Sequence, residues 1–220
     1  MAQDRDSNDR GTDAVESLLA RHNRPDRPVL AELEAHWREI RTRSPQLPHR
    51  ADLDPSRIAG ALPQAFVLER AAPGVARLRI VGRALSNLLG TEARGLPLSV
   101  FFTPASRDVL RSWLERCFDA PAILELSAEA RQGVFRTPLT GRLLLLPMLD
   151  RDGHVTRALG GFAIEGTKRS SIVKFDLAAA PTRFQILPQA SAAWAAAPSE
   201  ARPVPGEPRR SHLRLVVDNS

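Results

Sequence analysis

Apolar and polar residues follow two different periods along the central part of the chain. Apolar side chains recur three and four positions apart over 29–43, which predicts an amphipathic helix that begins after Pro28. A second, short helix is expected over 55–62, because Asp54 can cap it and Pro55 suits its first turn. Beyond this point the period shortens to two residues, which is typical of strands.

The later elements alternate between strands and helices. The predicted order is two strands, a short helix, a longer amphipathic helix and three strands, over residues 65–71, 75–82, 83–90, 105–119, 122–128, 134–149 and 155–165. Hairpins at both ends with helices between them predict an antiparallel sheet with helices packed over one face, an α+β fold.

Both ends of the chain differ from this central domain, which we place at 29–166. Residues 1–28 are polar and predict a disordered arm, in which a short helix can form at 13–21. Residues 167–220 predict a partly ordered extension with one further strand at 183–187. It continues into an Ala/Pro/Arg-rich linker and a strand-like tail at 211–220.

Composition narrows the class of protein. The chain has 220 residues and one cysteine, so it has no intramolecular disulfide and no cysteine cage for a metal. No apolar run approaches the ~18–20 residues of a membrane span, and the N-terminus does not look like a secretory signal. We therefore expect a cytoplasmic protein without membrane contact.

The charge of the chain is strongly positive but dispersed. The net charge is +6, and all but Lys168 and Lys174 of the 31 basic residues are arginines. The excess is spread over the central domain and the C-terminal extension, with no polybasic block of the kind that binds phosphates. Nucleic-acid binding is therefore disfavoured.

Several segments together carry a resemblance to a known family. The most specific is HWREIRTRSPQLPHRADLDP, and ALPQAFVLE, ARLRIVGRALSNLLGTEARG, GRLLLLPMLDRDG and RALGG add to it. Over residues 30–166 the chain resembles a bacterial family of small PAS-like proteins that carry no attached output domain. The residues that carry the family motif, to which we assign a structural role, are Trp37, Arg43, Pro48, Arg50, Asp52 and Pro55.

The resemblance implies a PAS-like five-stranded antiparallel sheet with helices over one face and a ligand pocket between them. It also implies that helix 29–43 flanks the domain, where it can contact a second copy in a homodimer. We assign inward, pocket-lining positions to Phe66, Leu78, Ile80, Leu88, Trp113, Cys117, Leu144 and Phe162, with Leu68, Leu85, Leu89 and Leu146 as further candidates. The same residues would line a solid core equally well. The sequence does not identify a cofactor.

The polar residues that could serve in catalysis or metal binding are better explained by structural roles. The histidines have no metal-ligand spacing and no neighbouring carboxylate cluster, and His36 is expected on a helix surface. Cys117 lacks the sequence context of flavin-binding light sensors and is interpreted as a buried, inert thiol. Asp52 and Asp54 are interpreted as helix caps, and Arg50 is expected to pair with Asp52 in a clasp that fixes the N-terminal segment to the sheet.

We therefore expect a non-catalytic sensory or regulatory module of bacterial signalling that binds a small ligand, a signalling protein not identified by the sequence, or both. The alternative is a ligand-free interaction module. It would dock through its sheet face, with Arg77 and Arg79, or through the strand-like tail at 211–220.

Overall fold

The fold is built on one antiparallel sheet with helices on both of its faces. A computed structural model of the protein describes residues 27–44, 46–131, 137–166 and 173–188. The α-helices within these ranges are α1 (Arg27–Arg43), α2 (Arg83–Leu89) and α3 (Arg107–Asp119). The strands are β1 (Ala65–Ala72), β2 (Val75–Val81), β3 (Ala122–Ala130), β4 (Leu139–Met148), β5 (Arg157–Glu165), β6 (Asp176–Leu177) and β7 (Arg183–Ile186).

The sheet confirms the predicted α+β architecture. Its strand order is β2-β1-β5-β4-β3, and every neighbouring pair is antiparallel. The first and last strands of the predicted domain, β1 and β5, pair at the centre, with Ala65 opposite Gly161. The short strands β6 and β7 both pair with the free edge of β3. Strand β7 confirms the strand predicted at 183–187, whereas β6 was not predicted.

Several predicted bounds need correction. The helix expected at 55–62 is instead two 3-10 turns, Pro55–Ile58 and Leu62–Gln64, because Gly60 and Pro63 interrupt any longer helix. Strand β4 begins five residues later than predicted. The tail at 211–220, the linker before it and the arm lie outside the described residues, except that Arg27 and Pro28 already belong to α1.

The inner face of the sheet is the one that α2 and α3 cover. Helix α3 places its apolar side against this face, and the buried residues of that side are Leu110, Leu114, Cys117 and Phe118. This is the packing of helix 105–119 across the hairpin sheet that the sequence predicted. Helix α2 ends at Gly90, which adopts a φ of 71°, a backbone conformation that glycine tolerates best.

The outer face of the sheet is covered by the flanking helix α1. Leu30, Leu33 and Trp37 are at most 5% exposed and pack in one cluster with Leu144 and Leu146 of β4. The chain therefore has three layers, with α2 and α3 on one side of the sheet and α1 on the other.

Two adjacent glycines in β5 allow both helix layers to approach the centre of the sheet. A Cβ on Gly160 would lie 2.2 Å from Cε2 of Phe66 on the inner face. A Cβ on Gly161 would lie 2.6 Å from Cδ1 of Leu33 and 2.7 Å from Cδ2 of Leu30 on the outer face. These are the glycines of the RALGG segment, and side chains of neighbouring elements occupy the space that each leaves.

Substitution of Gly160 by alanine is expected to destabilise the fold by about 1–3 kcal/mol, the usual cost of overpacking a filled core. The new methyl group would collide with the buried ring of Phe66. Denaturant unfolding measures the effect. The double variant Gly160→Ala/Phe66→Leu should recover part of the loss, and an additive double variant would contradict the proposed contact.

Candidate functional site

The predicted pocket residues divide between the two faces of the sheet. Those that join the inner core are Phe66, Leu78, Leu88, Cys117 and Phe162, together with Leu68 and Leu85. Trp113 and Leu89 are half-buried at its margin. The Trp113 indole Nε1 donates to the carbonyl of Ala179 at 3.2 Å, and its ring lies 5.3 Å from that of Phe184 in β7.

The inward positions predicted for Ile80 and Leu144 are wrong. The β1–β2 pairing shifts by one residue, so that Val67 faces Ile80 while Leu68 faces Leu78. This bulge turns Ile80 to the outer face, where it is 44% exposed. Leu144, and with it Leu146, lies under α1 on the same outer face.

Aromatic rings fill the inner core. The ring of Phe162 lies 5.9 Å from Phe101, 5.6 Å from Phe102 and 5.0 Å from Phe175, measured between centroids. A Cβ on Gly141 would lie 2.7 Å from Cε2 of Phe162, so this strand residue also makes room for the ring. Phe162, one of the residues predicted to line a pocket, thus packs directly against three other aromatic rings.

Cys117 is buried in this core, as predicted. Its side chain is fully buried and its Sγ donates to the carbonyl of Ala122 at 3.3 Å. Burial raises the pKa of the Cys117 thiol to about 12. At neutral pH the group is a neutral thiol without nucleophilic character.

Two of the family-motif residues attach the N-terminal segment to the end of β4. The Trp37 indole Nε1 donates to the carbonyl of Pro147 at 3.0 Å, and the guanidinium of Arg41 lies 5.2 Å from the Trp37 ring. Pro48 is buried, and its carbonyl accepts the N–H of Leu149 at 2.9 Å. These contacts support a structural role for both residues.

The acidic motif residues act as caps, as predicted. The Asp52 carboxylate accepts the N–H of His49 at 2.7 Å, and that of Asp54 accepts the N–H of Ser56 at 2.9 Å, just beside Pro55. The predicted pair of Asp52 with Arg50 is wrong. Within the described ranges Arg50 forms no ion pair and is exposed, because the carboxylate that it would bind turns back to its own 3-10 turn.

His36 is buried, not on the helix surface as predicted. Its Nε2 accepts the N–H of Asp54 at 3.0 Å, so that the 3-10 segment rests against α1. One turn further along α1, Glu39 binds Arg57 of the same segment at 2.6 Å and the largely exposed Arg43 at 2.5 Å. Arg43 therefore belongs to a surface ion pair.

A chain of charges joins α1 to the C-terminal extension. The Arg183 guanidinium donates to both oxygens of Glu34, at 3.0 and 2.5 Å, and lies 3.4 Å from Glu125. Arg38 also binds Glu34 at 2.7 Å, and Arg142 pairs with Glu125. Burial tends to raise the pKa of Glu34, but hydrogen bonds from Arg183 and Arg38 and their charges together hold that pKa below its usual value.

A groove on the outer face lies beside α1, between the 3-10 segment and strands β1 and β2. Its volume is about 550 Å³. Its lining is mainly apolar and includes Leu53, Ile58, Leu62, Val67, Ile80 and Leu159. Two arginines, Arg50 and Arg83, also line the groove. We call this feature the outer groove.

The turn between β4 and β5 brings three potential metal ligands together. Side-chain atoms of Asp150, Asp152 and His154 lie within 4.8 Å of one another, so the expectation that no histidine neighbours a carboxylate cluster is wrong. The Asp150 carboxylate, however, already accepts the N–H groups of Asp152 and His154, each at 2.9 Å, and the hydroxyl of Thr156 at 2.7 Å. These bonds explain the cluster as a turn.

Comparison with known families agrees with this geometry. A family model described as PAS domain matches residues 26–163. The chain belongs to the PAS domain family. In general terms this PAS domain is a sensory or regulatory module. No curated protein matches the chain. None of the helices in the described ranges has the length and apolar character that a membrane span requires.

Three solved structures are similar to this chain at a low level. A light-oxygen-voltage domain studied with a flavin analogue is 14% identical, with a TM-score of 0.37 over 50% of this chain and 83% of that one. The light state of the blue-light photoreceptor aureochrome 1 is 12% identical, with a TM-score of 0.34 over 52% and 89%. An RNA-binding light-oxygen-voltage receptor is 20% identical, with a TM-score of 0.35 over 51% and 33%.

Two features of the PAS domain were missed by sequence reasoning. Arg183 and Glu34 are 149 positions apart, so no local pattern connects them. The outer groove depends on the bulge that turns Ile80 outward, and an apolar residue in a strand gives no sign of such a bulge.

Replacement of Glu34 by glutamine should destabilise the PAS domain at neutral pH by about 1–2 kcal/mol, between the values for exposed and buried ion pairs. The folded-state pKa of Glu34 is depressed, so its contribution is present above about pH 5 and is lost as the pH falls through the folded pKa. The difference from the wild type should therefore shrink between about pH 5 and 3. Urea unfolding at several pH values measures this.

The matched control is Glu129→Gln, because that carboxylate is exposed and 3.9 Å from Arg131. It should change stability little at any pH. An equal, pH-independent effect of the two substitutions would contradict the assigned ion pair.

Cys117 should react with a thiol reagent at pH 8 only when the domain opens, because the buried group is neutral and inaccessible. Absorbance of the released thiolate follows the reaction. In denaturant the same thiol should react at once; immediate reaction in native buffer would show that the assigned burial is wrong.

Proposed function

We propose that this PAS domain is a non-catalytic regulatory module of bacterial signalling that acts through contacts with another protein while its interior is filled by its own side chains. The observation that carries the proposal is the interlocking of Phe66 and Phe162 with the strand glycines Gly160 and Gly141.

The filled interior favours protein contacts over an internal ligand. Small-molecule sites usually provide about 300–1,000 Å³. Such a volume on the inner face would require the rings of Phe101, Phe102, Phe162 and Phe175 to leave their mutual contacts. Repacking of this kind costs free energy that a ligand would have to supply.

The polar groups of the motif segment and of the core also favour a binding role. Asp52 and Asp54 accept backbone N–H groups, and Cys117 is a buried neutral thiol. These groups serve the fold, so they do not form an assembled nucleophile and base.

The surface that would contact a partner is the part of the outer face that α1 leaves uncovered, at strand β2. We call it the margin of the outer face. Helix α1 covers the centre of that face and buries its own apolar side there, so a homodimer through this helix, which stays a prediction, would use the polar side. At the margin Arg79 is held by Glu69 at 3.1 Å and Arg77 donates to the carbonyl of Gly95 at 3.0 Å, whereas the apolar side chain of Ile80 is exposed. Docking of the tail at 211–220 and a cytoplasmic location also stay predictions.

Native mass spectrometry of freshly purified protein tests the filled interior. We expect the mass of the polypeptide alone, and we expect Phe162→Ala to lose about 3–5 kcal/mol of stability, as buried phenylalanines do. Phe184→Ala is the matched control, because Phe184 is half-buried at the edge, and it should cost less. A co-purifying small mass that Phe162→Ala releases would overturn this part of the proposal.

Site-specific photo-crosslinking in cells tests the protein contact. A crosslinking residue at position 80 should give an adduct with a different protein, and one at position 151, an exposed site in the β4–β5 turn, should not. Equal labelling from both positions, or none from position 80, would contradict docking at this margin.

A further inference from the structure

The outer groove exposes apolar side chains of the kind that proteins usually cover. Exposed large apolar side chains are few in the described ranges, namely Leu62, Ile80 and Ile186. The first two, 40% and 44% exposed, both line the outer groove. An apolar concavity of this kind is typical of a surface that receives another segment.

The charge of the outer groove indicates what it receives. Arg50 and Arg83 line it, and neither forms an ion pair within the described part of the chain. The matching segment therefore carries apolar side chains together with carboxylates, since a carboxylate can bind a guanidinium through two hydrogen bonds.

A segment of the same chain has this composition. Between Gly11 and Ala20 the only charged residues are Asp13 and Glu16, both acidic. Val15, Leu18 and Leu19 recur at helical spacing within the helix predicted there, so they share one side of it. On a helix Glu16 lies about 60° from Leu19, at the border of this apolar side, whereas Asp13 lies on the opposite side.

We propose that segment 13–19 of the N-terminal arm binds in the outer groove of its own chain. Its leucines contact the apolar lining, and Glu16, at the border of this contact, faces Arg83. The bound arm covers Leu62 and Ile80, and a partner that docks on this margin has to displace it. The inference concerns the outer face alone and does not depend on whether the interior is filled.

The connecting chain is long enough. Glu32 of α1 accepts the N–H of Gly60, next to the outer groove, at 3.1 Å. The five residues from Glu32 back to the first residue of α1 span about 7.5 Å of helix. Residues 20–26 then span up to about 23 Å when extended, which allows 13–19 to fold back over the 3-10 segment.

A spin label on the full-length chain tests the proposal. Ser17→Cys supplies the attachment point, and the native Cys117 is buried and unreactive. We expect the label to broaden the methyl NMR signals of Ile58 and Ile80, which line the outer groove, and to leave that of Ile123, buried beneath α1 near β7, sharper. Equal signals throughout would overturn the proposal.

Paired substitutions separate this contact from its rivals. Leu18→Glu/Leu19→Glu should abolish the broadening, whereas Leu213→Glu/Leu215→Glu, the matched change in the C-terminal tail, should not. Arg83→Glu should weaken the broadening, and Glu16→Arg in the same chain should restore it. If the double change at 18 and 19 has no effect, the assigned contact is wrong.

A mixture of spin-labelled and isotope-labelled chains identifies the source of the segment. Broadening that persists between chains would show that a second copy supplies it, which overturns docking within one chain. Its absence in the mixture, together with broadening in the singly labelled chain, supports the proposal.

Discussion

The three layers of this protein depend on the absence of side chains at two consecutive positions of β5. Gly160 and Gly161 lie in the strand that joins the two hairpin units, so each faces a different helix layer. One receives the ring of Phe66 and the other receives Leu30 and Leu33. A sheet that is covered on both faces needs such close approach at its centre, because side chains of full size on both sides would hold the layers apart.

Burial on both faces of the sheet also explains which parts of the fold could be predicted from the sequence. The order of elements was predicted because helical and strand periods differ and because turns carry glycine, as at Gly90 and Gly153. The face of each strand residue was harder to assign. The run Leu143–Leu146 is apolar at every position because α1 covers the side that faces water in many antiparallel sheets, so no alternation distinguished inner from outer residues.

The candidate site was predicted only where local rules govern it. Capping by Asp52 and Asp54 and burial of Cys117 follow from neighbouring residues, and all three were correct. His36 was misplaced because its partner is a backbone N–H 18 positions away. The apolar period of a helix does not reveal a tertiary hydrogen bond of this kind. The same holds for the ion pair of Glu34 and Arg183, which are far apart in the sequence.

Arg183 binds the flanking helix through Glu34 and the sheet through Glu125 at the same time. The polypeptide enters the domain by this helix and leaves it by β7, the strand that carries Arg183. A pull on the exit strand therefore reaches the entry helix through this guanidinium, and also through the hydrogen bond of 3.3 Å from Arg38 to Gln185. The entry and exit of the domain are thus mechanically coupled, because their contacts join them directly as well as through the sheet.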